Sequence, residues 1–220
     1  MNMMFEILVG GGLIGFPDRL RHPFSTISLI TLDDGRKGLI DPGNTIQLEA
    51  LESEFEKRNL DISSIEFIIL THVHLDHIMN SVYFPNAEIY VHEAYATKNY
   101  SQFGKIIGSV YKKIIDGWKS VKTIKDGERL FDRIEVLHTP YHAREHISLI
   151  LDTENMGVVG VLGDICYTRI AFYDIVKGYR TDKVAEIVKG IVNRSDWIVF
   201  AHDEPIRVKA PATDRFRGDS

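Results

Sequence analysis

The order of strand-like and helix-like runs predicts a single α/β domain over 1–220, with sheet inside and helices outside. Three observations carry that reading. Short apolar runs of strand length recur between residues 5 and 201, three longer segments switch to a 3.6-residue period, and no linker, charge block or internal repeat divides the chain. A length of 220 residues suits one domain, and 44% hydrophobic with 26% charged residues is a composition that builds a core.

In chain order, residues 5–9 and 27–32 read as strands, and Asp33-Asp34-Gly35 turns the second into a third at 37–41. After Pro42-Gly43 the apolar positions Ile46, Leu48, Leu51 and Phe55 are spaced among acidic and basic residues. This predicts a surface helix capped by Asn44 or Thr45. The run 65–70 is apolar except at Glu66 and short enough for a buried strand, and Glu88–His92 reads as another. Ile106, Ile107, Val110, Tyr111, Ile114, Ile115 and Trp118 predict a helix over 103–118 with lysines on its wet face. Strands follow at Ile134–His138, 147–152 and 158–162. A helix carrying Val184, Ile187, Val188 and Ile191 starts behind a Thr181 cap, a last strand covers 197–201, and the polar tail 214–220 is expected to fray.

Composition excludes several classes of function. A net charge of -5 offers no general attraction to nucleic acid or anionic lipid, and no apolar run reaches the ~20 residues of a membrane span. The N-terminal stretch has no basic region and is interrupted by Glu6, so no secretory signal is expected. The single cysteine, Cys166, forbids an internal disulfide and fits a cytoplasmic protein. It reads as a small buried filler.

What composition leaves open is the presence of nine histidines. Thr71-His72-Val73-His74-Leu75-Asp76-His77 follows directly on the buried strand 65–70. Four side chains able to bind a cation, packed into six residues at a strand end, suit a loop wrapped around one or two metal ions. The imidazole and carboxylate mixture favours zinc, iron or manganese over calcium or magnesium.

This T-H-x-H-x-D-H run resembles the signature of the metallo-β-lactamase superfamily. Further elements appear in that family's order: Thr139-Pro140-Tyr141-His142, Gly163-Asp164 after the strand 158–162, and His202 after the last strand. Leu39-Ile40-Asp41-Pro42-Gly43 resembles the family's first turn. The resemblance implies a four-layer αββα sandwich. It also implies that His72, His74 and His142 bind one metal, that Asp76, His77 and His202 bind a second, and that Asp164 bridges them. Two divalent ions, zinc first with iron or manganese as alternatives, about 3.5–4 Å apart would bring the pKa of a shared water towards about 7. Asp76 would then orient that water and carry its proton to the leaving group.

Local motifs resemble the N-acyl homoserine lactonases most. There a second histidine lies four residues beyond the third ligand, here His146, and a tyrosine lies three beyond the bridging aspartate, here Tyr167. The resemblance implies that His146 lines the site and that the Tyr167 phenol donates to a developing oxyanion. Tyr141 stands where that group has glycine. The reading is a metal-dependent hydrolase of an ester, lactone or thioester, acting on a small molecule, with no nucleic acid or membrane partner and a homodimer left open. A mononuclear-iron persulfide dioxygenase and a dinuclear phosphodiesterase are the alternatives on the same fold. Exported β-lactamases, glyoxalase II with its added helical domain and RNase-Z-type enzymes with a tRNA-binding arm fit less well.

Two further signals are set aside. Gly10-Gly11-Gly12-Leu13-Ile14-Gly15 spells a dinucleotide-binding pattern, but Pro17 and Pro23 break the helix such a site needs, so the glycines read as a flexible turn. His22, His92 and His138 read as loop, core or supporting residues, and Phe16, Phe24, Phe172 and Tyr173 as candidate pocket walls.

Overall fold

The computed structural model describes residues 3–15 and 21–209. The tail 214–220 and Phe16 lie outside the described residues.

In chain order the strands are β1 Met4–Val9, β2 Gly12–Gly15, β3 Arg21–Phe24, β4 Ile27–Thr31, β5 Lys37–Ile40, β6 Ile65–Ile69, β7 Glu88–His92 and β8 Val121–Ile124. They continue with β9 Arg129–Leu130, β10 Ile134–His138, β11 Ile147–Thr153, β12 Gly157–Val161, β13 Trp197–Val199 and β14 Ile206–Arg207. The helices are α1 Leu48–Lys57, α2 Leu75–Ile78, α3 Lys105–Asp116, α4 Arg169–Val176 and α5 Lys183–Arg194.

Element order predicted sheet inside and helices outside; the structure has two layers of sheet, as the family resemblance implied. One six-stranded sheet runs β1-β4-β5-β6-β7-β8, a second runs β14-β13-β12-β11-β10-β9, and β2 and β3 form a separate ribbon. The two sheets meet through Phe5, Ile30, Phe67, Ile69, Val136, Leu149, Val159 and Val199, all buried in one cluster. Ile68, between Phe67 and Ile69, points to the opposite face, where Leu51 and Phe55 of α1 and Tyr111 and Ile114 of α3 cover the first sheet. Val184, Val188 and Ile191 of α5 cover the second sheet through Ile150 and Ile198. Strands buried on both faces lose their alternation, which is why 65–70 reads as an unbroken apolar run. The product is the αββα sandwich.

Several boundaries differ from expectation. Asn44 caps a 3-10 turn at Thr45–Gln47 in a capping box with Gln47, and α1 begins after it. Asp182, not Thr181, caps α5, its carboxylate accepting from the Ala185 amide at 2.9 Å. The glycine run is not a flexible turn. Gly12–Gly15 pairs with β3, and a Cβ at Gly11 would meet the Ala201 carbonyl at 1.9 Å, so the glycine lets backbone pass against backbone. The ribbon, α4 and the short β8, β9 and β14 were not anticipated.

Topology places the chemistry at one end. β5, β6 and β7 run parallel. β12 is parallel to β13 and antiparallel to β11, and β10 is antiparallel to β11, so β10, β12 and β13 share a direction. The loops leaving β5, β6, β10, β12 and β13 carry Asp41, the 71–77 run, His142, Asp164 and His202. The Ile147 amide donates to the Thr71 carbonyl at 2.8 Å and stitches the two sheets together at that edge.

Candidate metal centre

Six ligand-type residues converge as two triplets, and a seventh lies between them. One potential ligand atom from each of His72, His74 and His142 lies within 4.8 Å of the others, and the same holds for Asp76, His77 and His202. His74 Nδ1 stands 2.9 Å from both His72 Nε2 and His142 Nε2. Asp164 faces both groups. Its Oδ2 is 3.3 Å from His142 Nε2 and 3.9 Å from His72 Nε2, while its Oδ1 is 3.3 Å from both His77 Nε2 and His202 Nε2. Asp76 Oδ2 closes the second triplet at 3.5 Å from the same two nitrogens. Asp76 and His77 ride on the short helix α2, whose tight winding brings both towards the centre.

The other ring nitrogens are engaged by the surrounding structure. His77 Nδ1 donates to Asp41 Oδ2 at 2.8 Å, and His202 Nδ1 donates to the Phe24 carbonyl at 3.0 Å. Thr71 Oγ1 donates to Asp41 Oδ2 at 2.6 Å, which leaves it to accept from His72 Nδ1 at 3.1 Å. This network assigns the tautomers and leaves the Nε2 lone pairs of all three rings aimed inward. Asp41 also accepts the Thr71 amide at 2.8 Å, so one buried carboxylate sets both the loop and the His77 ring.

Electrostatics agree with a cation cage. Burial lowers the pKa of His72, of His142 and of His74, the last to about 3, and so keeps their lone pairs free. Burial acts the same way on His77, but Asp41, Asp76 and Asp164 overcome it and raise that pKa well above the ordinary value. Burial pushes Asp164 up, yet His77 and the surrounding imidazoles outweigh it and hold the carboxylate ionised. Positive charge is thus demanded at the second triplet. The donor set passes a direct test: His77 Nε2 and Asp164 Oδ1 are both buried without a hydrogen-bond partner. Polar atoms left unpaired in this way are explained when an ion takes their lone pairs.

The remaining expectations divide. Tyr167 is half exposed, its ring centroid 6.1 Å from that of His202, and its carbonyl accepts the His202 amide at 2.9 Å. It stands at the mouth of the site. His146 lies behind the ligand set, its ring centroid 5.1 Å from that of His72. It is fully buried, with Nδ1 2.8 Å from Thr139 Oγ1 and Nε2 accepting the Asp164 amide at 2.9 Å. Both nitrogens are taken, so the ring orients Asp164 from behind. Cys166 is buried against the second sheet's outer cluster, where burial pushes its thiol up to about 12. His92 and His138 stack with centroids 3.8 Å apart, away from both triplets.

Gly163 makes the Asp164 approach feasible. Its φ is +57°, and a Cβ there would meet His146 Nε2 at 2.5 Å. Gly163→Ala is therefore expected to cost roughly 1–2 kcal/mol in backbone strain alone and to break the His146–Asp164 bond. Urea unfolding and metal content should fall together; unchanged metal content would remove Gly163 from the site's architecture.

Fold and site together define a metal-binding αββα protein. The sequence model of the metallo-β-lactamase superfamily matches residues 21–154, and the chain belongs to that superfamily. A crystal structure from Thermotoga maritima, described only at the level of metallo-β-lactamase, is 46% identical with a TM-score of 0.89, covering 94% of this chain and 100% of its own. An N-acyl homoserine lactonase of Bacillus cereus is 26% identical over 62% of this chain. The chain spans about half the length of that relative, 55%. The structure of a quorum-quenching N-acyl homoserine lactone lactonase superposes with a TM-score of 0.68 at 19% identity, covering 92% of this chain and 93% of its own, which shows a shared fold. Among the described residues no helix is long and apolar enough to cross a membrane.

Proposed function

We propose that the chain is a metal-dependent hydrolase of small esters, with lactones the favoured class, using two divalent cations, zinc first. The observation that carries this reading is the orientation of Asp164, whose two oxygens each address a separate, complete triplet. His72, His74 and His142 would hold one ion and Asp76, His77 and His202 the other. Bound there, the pair would supply Lewis acidity and an acidified water at neutral pH.

The chain's own side chains account for the remaining steps. Asp76, its side chain 16% exposed and on the open side of α2, accepts the proton of the attacking water. It returns that proton to the leaving alkoxide as the acyl carbon–oxygen bond breaks. Tyr167, at the mouth, donates its phenolic hydrogen to the carbonyl oxygen as charge develops there. A cleft of about 470 Å3 runs outward past His74 and His142 between Phe103, Gln102 and Arg144. Its mixed polar lining suits a short, polar acyl group better than a long alkyl chain. The likeness to N-acyl homoserine lactonases supports the lactone class.

The test is metal analysis of purified protein alongside turnover of lactone, ester, thioester, bis-aryl phosphodiester and β-lactam substrates. Two metals per chain with lactone or ester turnover is the expected result. One iron with oxygen uptake on a persulfide, or turnover of the phosphodiester alone, would replace the proposal. Tyr167→Phe is expected to leave metal content unchanged and to slow ester turnover by roughly 100-fold. Wild-type kinetics across all ester-type substrates would remove the oxyanion role.

A further inference from the structure

An ion pair outside the ligand set lies beside it, on the wall of the cleft that opens past His74 and His142. Lys98 and Glu145 are 47 residues apart in sequence, and Nζ approaches Oε1 to 2.5 Å. The Glu145 side chain is fully buried and that of Lys98 is 8% exposed, roofed by the rings of Tyr100 and Phe103 at 5.7 and 5.8 Å. Both partners also grip Val73. Its amide donates to Glu145 Oε1 at 3.1 Å, and Lys98 Nζ donates to its carbonyl at 2.9 Å.

Those two backbone groups belong to successive peptide units, one joining His72 to Val73 and the other joining Val73 to His74. Peptide units are planar, so fixing both fixes the directions in which the flanking side chains leave the backbone. Glu145 lies between His142 and His146 in the facing loop. The pair therefore ties the loop that carries two histidines of the first triplet to the loop that carries the third.

Stability alone does not explain such a pair. Glu145 Oε2 is buried with no hydrogen-bond partner, and buried ion pairs can commonly be replaced by apolar side chains without loss of stability. An ammonium beside a cation cage is also unfavourable unless a carboxylate cancels its charge. Both features make sense if geometry at the histidines is what the pair secures.

We propose that Lys98 and Glu145 are positioning residues that hold His72, His74 and His142 in ligating geometry. This rests on the reading of those histidines as metal ligands. The pair acts on the geometry of the histidines beyond what it contributes to fold stability.

The experiment uses full-length metal-free protein. Zinc affinity is measured by competition with a chromophoric chelator, cobalt(II) coordination by visible absorption, and folding by thermal denaturation without metal. Lys98→Met/Glu145→Leu is expected to fold with a lower melting temperature, since the Val73 amide and carbonyl lose their partners, and, while fully folded, to bind zinc about 10- to 100-fold more weakly and to give an altered cobalt spectrum. Lys98→Arg, which keeps the charge and the donors, should restore near-wild-type affinity. Equal affinity and an unchanged spectrum in the double variant would overturn the proposal. Should that variant not fold, Glu145→Gln, nearly isosteric and uncharged, carries the test, and unchanged zinc affinity there overturns it likewise. A wild-type protein that binds neither metal would defeat the ligand reading itself, a result distinct from wild type and variants binding alike.

Discussion

Under the proposed two-ion hydrolase, Asp164→Ala is expected to lower the metal content to one ion or none, and to lower kcat/KM on the ester substrate it turns over by about a thousandfold or more. Removing the carboxylate deletes the one side chain whose oxygens stand 3.3 Å from His142 on one side and from His77 and His202 on the other. The loss is one of charge as well as contact. Asp164 lies within 4 Å of four imidazoles, and without it a second dication in the same cavity has no shared counter-charge. A bound metal contributes several kcal/mol of transition-state stabilisation, which sets the size of the effect. Elemental analysis and steady-state kinetics on the same preparation decide the matter. An Asp164→Ala protein that keeps two ions and half its activity would remove the bridging role.

Asp41→Ala is expected to be the most damaging substitution for stability away from the hydrophobic core, at about 3–5 kcal/mol. Asp41 is 3% exposed and accepts from the Thr71 amide, the Thr71 hydroxyl and His77 Nδ1. All three donors belong to fully buried residues, so each is stranded when the carboxylate goes. The residue sits at φ 49°, a conformation in which alanine is strained and asparagine tolerated. Asp41→Asn should therefore lose less stability than Asp41→Ala while still weakening the second triplet, because an amide holds His77 less firmly. Urea denaturation of the metal-free variants gives the ranking. Equal stability of Asp41→Ala and wild type would show that the turn does not support the His77 ring.

The two kinds of chemistry at this edge differ in how far they were legible. The seven convergent side chains could be identified because each lies in a short motif beside a strand end. His77 and Asp76 are one residue apart, and Gly163 marks Asp164 by the left-handed backbone it requires. The supporting bonds were not legible. Glu145 to Lys98 and Asp41 to His77 join residues 47 and 36 apart, and no local pattern announces such a pairing. His146 shows what spacing leaves open. Its spacing from His142 suggested a place in the site, but spacing does not say which way a ring points, and here it turns inward to the Asp164 amide.

In the fold, helices with a full apolar stripe were legible, α3 and α5 among them, since a 3.6 period has no other simple cause. The ribbon β2–β3 was hidden by its glycines, which read as breakers until the close pass at Ala201 gives Gly11 its reason. Helix α4 was hidden because its packed positions Ala171, Phe172 and Ile175 lie among the exposed apolar Ile170, Tyr173 and Val176, which blurs the apolar period.

The amino-acid sequence by itself determined the superfamily motifs and the α/β character of this chain, because both reside in residue types and short-range spacing. Tertiary structure decided how the strands of the two facing layers, which the family resemblance implied, pair with one another and gather five loops at one shared edge. It also decided which histidine nitrogens point inward and which buried carboxylates hold them there. Those outcomes depend on hydrogen bonds between segments far apart in the chain, whose direction and length are set only once the two layers have packed.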